Sequence, residues 1–129
     1  MRVLLVDDDI YALERYRVYI QGLDCEVMAI ADSRVAEDLL EVHQFDALIS
    51  DVQMPIISGL DLIRQMYWWQ QEIPTLLHSS EPRHSDGHTW TELAKVHEEF
   101  NFVTFHLKQH SSDPTYIKDF LEKLEEAIA

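Results

Sequence analysis

Two short apolar runs in this chain stop on carboxylates. Val3-Leu4-Leu5-Val6 leads into Asp7-Asp8, and Ala47-Leu48-Ile49 leads through Ser50 into Asp51. Short runs of this kind, bounded by turn residues, read as strands buried on both faces, the mark of a parallel sheet covered by helices. In an open sheet of that type the chemistry sits just beyond the carboxyl ends of the strands. Asp51 lies at such an end, and Met54-Pro55 with Gly59 beyond forms a loop that cannot continue the strand. If the two strands are neighbours, three acidic groups converge on one edge. Like charges so close are costly unless a cation or protons intervene. An all-oxygen donor set suits magnesium, which binds through one or two carboxylates plus water and phosphate oxygens.

The rest of the chain fits the same plan. Residues 2–6 form the first strand. Asp8 or Asp9 can cap a helix over 10–21, with Gly22 as its stop. Ile10, Leu13, Arg17 and Ile20 recur at helical spacing there, with Arg17 at the edge of the face. A second strand covers 25–30. Ser33 caps a helix over 33–43 that turns Val35, Ala36, Leu39 and Leu40 inward. The third strand covers 46–50, a helix 60–70 and the fourth strand 74–79. Residues 81–88 are polar and turn-rich and read as a loop. A helix over 89–100 follows, with Asn101 suited to a left-handed cap, and then a fifth strand over 102–107. Asp113 caps a last helix with Pro114 at its first position. Its apolar face is Ile117, Phe120, Leu121, Leu124 and Ile128. Five strands alternating with five helices predict a doubly wound α/β domain with a five-stranded parallel sheet and right-handed crossovers. One domain over 1–129 is expected.

Composition narrows the function classes. The chain has 129 residues, a one-domain length, and 47% hydrophobic residues, which excludes disorder. A net charge of -14 argues against direct nucleic-acid binding, which needs a basic face, and against an anionic membrane surface. Cys25 is the lone cysteine, so no internal disulfide forms and a reducing, cytoplasmic setting is expected, with Cys25 as a small buried hydrophobe. No leader pattern and no run of membrane-spanning length is present. His84 and His88 have helical ligand spacing, but Gly87 and the turn residues before it oppose a helix. They and His78 therefore read as surface histidines rather than a zinc site. Leu62, Ile63, Met66 and Trp69 share one helical face and Trp68 points the other way, toward a partner surface or a covering loop.

Val6-Asp7-Asp8-Asp9, Ser50-Asp51, Met54-Pro55 with Gly59, and Leu107-Lys108, in that order, resemble the receiver domain of two-component response regulators over essentially the whole chain. The resemblance implies a flavodoxin-like fold with strand order 2-1-3-4-5. It implies that Asp51 accepts a phosphoryl group from a histidine kinase or phosphotransfer protein. Asp8 would ligate Mg2+ directly, Asp7 would act near it through water, and the Gln53 backbone carbonyl would join them. Ser79, or its neighbour Ser80, would bind a phosphoryl oxygen, Lys108 would pair with the same group, and Phe105 would be the switch aromatic. Gln53 and Glu81 would flank the water that hydrolyses the phosphoryl group. Such a chain is a switch that catalyses only its own phosphoryl acceptance and slow loss. Its output would be binding to another protein through the face of the fourth helix, fifth strand and fifth helix. The residues support this chemistry on their own: a carboxylate is a usable phosphoryl acceptor, and the transfer needs charge neutralised by a metal and a lysine.

Two features depart from the family. Gln109 stands where proline usually follows the lysine, so a trans bond is expected there. The segment between Ser79 and Lys108 is longer than the family pattern by several residues, with the excess in 81–88. These departures motivate the alternative reading, a pseudo-receiver binding module of the same fold that is not phosphorylated. An aspartate-nucleophile phosphatase would need a second aspartate where Gln53 stands, and Asp7-Asp8-Asp9 would repel a flavin phosphate.

Overall fold

The computed structural model describes residues 1–79, 98–107 and 113–128. Strand β1 (Arg2–Val6) lies between β2 (Glu26–Ile30) and β3 (Ala47–Asp51), and β4 (Thr75–Ser79) and β5 (Val103–Leu107) follow outward. All four pairings are parallel, in the order β2-β1-β3-β4-β5. The sequence predicted this sheet, with bounds that differ by a residue or so. The described helices are α1 (Ile10–Gln21), α2 (Ser33–Val42), α3 (Gly59–Trp68) and α4 (Thr115–Ile128). Of the further helix expected over 89–100, only Glu98 and Glu99 are described as helical; the rest, like the 81–88 loop, lies outside the described residues. The chain runs from β1 to β2 on one side and then crosses to β3 on the other. The carboxyl ends of β1 and β3 are therefore the point where the winding reverses, the usual place for a site in such sheets.

Strand side chains alternate between two cores, as the two-residue period requires. Val3, Leu5, Ala47, Ile49 and Leu76 meet Leu13, Tyr16 and Ile20 of α1 and Ile117 and Leu121 of α4. Leu4, Val6, Leu48, Leu77 and Val103 meet Ala36 and Leu40 of α2 and Leu62, Ile63 and Met66 of α3. Each fully buried Leu or Ile contributes roughly 1.5–3 kcal/mol of hydrophobic stabilisation, so both faces hold the sheet. Cys25 is buried as expected, and that burial pushes its thiol pKa up.

Local expectations need correction at several points. In α1 the inward stripe is Leu13, Tyr16 and Ile20. Ile10 belongs to that stripe by spacing but lies in the first turn, past the carboxyl end of β1, and is 68% exposed. Arg17 lies half-buried at the edge of the face, as expected, where it pairs with Glu14 and donates from Nη1 to Gln21 Oε1 at 2.8 Å. Asp32, not Ser33, caps α2: its carboxylate accepts from the Arg34 N–H. Ser33 is instead buried and donates to the Pro55 carbonyl at 3.1 Å, and Val35 is exposed. Asn101 is not left-handed; among the described non-glycine residues, positive φ occurs at Asp24, Ile56 and Gln70. Helix α3 starts on a reciprocal cap, with Ser58 Oγ accepting from Asp61 N at 3.1 Å and Asp61 Oδ2 accepting from Ser58 N at 2.9 Å. Its outer face carries Trp68 at 80% exposure, as the periodicity predicted.

Candidate functional site

The three consecutive acids after β1 do three different things. Asp7 is fully buried and its Oδ1 accepts the Asp9 N–H at 2.9 Å, which fixes its carboxylate. Asp8 is exposed. Asp9 caps α1, its Oδ1 accepting from Tyr11 N at 3.0 Å and Ala12 N at 3.3 Å. Thus one acid is locked, one faces solvent and one is used up by the helix.

Asp51 comes to the same edge from β3 and is half-buried. One oxygen from each of Asp7, Asp8 and Asp51 lies within 4.8 Å of the others. Asp51 Oδ1 accepts the Gln53 backbone N–H at 3.3 Å, and the Gln53 side chain is exposed. The loop beyond is pinned to the strand: Gly59 N donates to Val52 O at 2.9 Å and Val52 N to His78 O at 3.1 Å. Ile56, at φ 72, takes the left-handed turn and is 74% exposed. Three carboxylates on a small patch, all hard oxygen donors, can hold a divalent metal ion.

A family model described as the response regulator receiver domain matches residues 3–96. The chain belongs to that family. The receiver is 34% identical over 61 residues to stress response regulator protein 1 of Candida albicans, covering 46% of this chain and 22% of that protein. It is 30% identical over 86 residues to response regulator protein PmrA of Pseudomonas aeruginosa, covering 67% of this chain and 39% of PmrA. The chain thus spans well under half the length of these curated relatives. Its fold is also that of the Francisella response regulator 1452 receiver domain, at a TM-score of 0.79 and 14% identity, covering 99% of this chain and 98% of that one. Receivers are signalling switches rather than metabolic enzymes.

The other expected site residues divide by what the receiver's structure describes. Ser79 ends β4 at 1% exposure, one position past the residue in register with Asp51. Phe105 is half-buried in β5, in register with Leu77, and packs on the α2/α3 side of the sheet. Lys108 directly follows β5 and lies outside the described residues, as do Ser80, Glu81, His84, His88 and Gln109. No helix among the described residues is long and apolar enough to cross a membrane.

His78 corrects the sequence reading. It is fully buried rather than on the surface. Its Nδ1 lies 2.9 Å from the Tyr116 hydroxyl of α4, and its ring is 5.1 Å from that of Tyr16 in α1. Tyr116 in turn stacks on His106 of β5 at 3.8 Å and 8°. Burial, and then the Tyr16 hydroxyl beside it, hold the Tyr116 phenol well above the usual range, so it stays protonated. Burial lowers the His106 pKa. No local signal marked this cluster, because its members come from four separate elements.

Proposed function

We propose that this chain is a phosphorylation-controlled signalling switch of a two-component system that accepts a phosphoryl group on Asp51 from a histidine kinase or phosphotransfer protein. The observation that carries the reading is the meeting of Asp7, Asp8 and Asp51, from two strands, within 4.8 Å at the sheet's reversal point. In the reaction an Asp51 carboxylate oxygen attacks the donor's phosphorus and the phosphorus–nitrogen bond breaks. The imidazole leaves with the electron pair and takes up a proton, and Asp51 becomes an acyl phosphate. Asp7, Asp8, Asp51 and the Gln53 carbonyl would hold Mg2+, which supplies positive charge for the phosphoryl oxygens. Lys108 adds a second positive charge and the Ser79 hydroxyl a hydrogen-bond donor. Gln53 and Glu81 flank the water that later hydrolyses the acyl phosphate, so the only chemistry is the domain's own gain and loss of phosphate. The whole of 1–129 acts as the receiver, in the cytoplasm, without touching nucleic acid or membrane. Its output runs through the face of the helix expected over 89–100, β5 and α4, to a protein partner. Incubation with Mg2+ and a small-molecule phosphodonor adds one phosphoryl group by intact mass, and Asp51→Asn adds none. Equal addition to both proteins, or none to either, defeats the proposal.

A further inference from the structure

We propose that the buried His78–Tyr116 hydrogen bond couples the acceptor edge of the sheet to helix α4, so that events at Asp51 are read out on the face opposite Phe105. This rests on the phosphoacceptor reading above. Asp51, His78 and His106 occupy one register row across β3, β4 and β5. His78 is also bonded in sequence to Ser79. Successive strand residues point to opposite faces. Ser79 and Phe105 therefore serve the α2/α3 side, while His78 turns to the α1/α4 side, against Tyr16 and Tyr116.

An imidazole at zero exposure is costly unless it is hydrogen-bonded, and here Nδ1 meets the Tyr116 hydroxyl. An aliphatic side chain would fill the space without that cost, as Leu76 does two residues earlier in the same strand. What the imidazole adds is direction. A hydrogen bond of 2.9 Å tolerates little stretching, and beyond about 3.5 Å it is lost. A shift of the β4 end that carries Ser79 toward a phosphoryl group on Asp51 carries His78 with it. The hydrogen bond turns that small displacement into two alternatives: Tyr116 follows, and α4 moves with it, or the bond breaks inside the core. Tyr116 is also clamped to the edge strand by the His106 stack, so its motion is felt by both β5 and α4. A ligand at one end then biases an element with two arrangements, which is the physical content of coupling.

Beryllofluoride, with Mg2+, serves as the phosphoryl analogue, and fluorine NMR reports its uptake. Hydrogen exchange of the α4 amides reports the response. In the wild type, uptake changes α4 exchange by at least about fivefold, the low end of ordinary coupling. Tyr116→Phe keeps the ring and its stack but loses the hydroxyl. The double variant His78→Leu/Tyr116→Phe replaces both partners of this bond with apolar groups, so neither the imidazole nor the Tyr116 hydroxyl is left buried and unpaired. Both variants take up beryllofluoride, and their α4 exchange changes by less than about twofold. A variant that responds like the wild type overturns the inference. So does wild-type uptake with no α4 response, or a folded double variant that no longer takes up the analogue. Absence of uptake by the wild type removes the phosphoacceptor reading, and the coupling with it, and the fluorine signal alone identifies that case.

Discussion

At Gly59 a β-carbon would collide with the backbone carbonyl oxygen of Asp51 and come within 2.9 Å of Leu77 Cδ2. The obstacle is steric: the helix starts directly against the acceptor strand, and the backbone there has no room to retreat. Only the leucine methyl can yield; the carbonyl belongs to the strand. Gly59→Ala is therefore expected to cost about 1–3 kcal/mol of stability, as overpacking in a tight interior does. It should also displace the Asp51 carbonyl and slow phosphoryl acceptance. Denaturant unfolding and the mass assay measure the two effects. A variant as stable as the wild type would mean that α3 shifts away freely. A similar economy governs Asp7, Asp8 and Asp9. The sequence showed that three acids gather there, but not which of them the helix takes. The cap on Tyr11 and Ala12 removes Asp9 from the set, and the Asp9 N–H helps to fix Asp7.

Among the elements, α4 docks on the sheet through a polar contact as well as an apolar one. Ile117 and Leu121 enter the core, while Tyr116 stacks on His106. His106 stacks on Tyr116 and lines one cavity with Asp119 and Lys123 of α4, and its pKa is lowered by burial from an ordinary 6.5. The unfolded chain then binds more protons at this residue than the folded one, so stability rises with pH through that window. The contribution is complete above about pH 6.5 and is lost as pH falls toward the lower folded value. His106→Phe keeps a ring for the stack and removes the titration. Between about pH 7.5 and about pH 5.5, the wild type should lose more melting temperature than this variant. Equal losses would place the acid sensitivity elsewhere.

The strands and helices were legible because burial on two faces leaves uninterrupted apolar runs, and helices between them carry a 3.6-residue stripe. The misread positions have a shared cause. Ile10 and Val35 are apolar residues in the first turn of their helices, and helical spacing does not say whether a strand lies beneath them. His78 is polar at a strand end, where exposure is the ordinary inference. Its burial is imposed by Tyr16 and Tyr116, which are remote in sequence.

Over the whole molecule the charge is -14, and part of it is concentrated where Asp7, Asp8 and Asp51 meet. Two effects of added Mg2+ must be separated. General screening weakens repulsion among exposed charges and is shared by any salt. Binding at one site in the folded state alone stabilises by RT ln(1 + [L]/Kd), about 2.7 kcal/mol at a hundredfold excess over Kd. The unfolded chain scatters the three acids and cannot reproduce the site. Thermal unfolding in high monovalent salt, with screening already saturated, should still show a rise in melting temperature on adding Mg2+. Chelation should reverse it. Asp8→Asn removes one anionic donor from the patch without touching the apolar core, and it should shrink the rise. Asp51→Asn should shrink it too, because the donors come from both strands. A rise that monovalent salt abolishes, or that survives in both variants, would mean that Mg2+ acts on the acidic surface as a whole and not at the junction of β1 and β3.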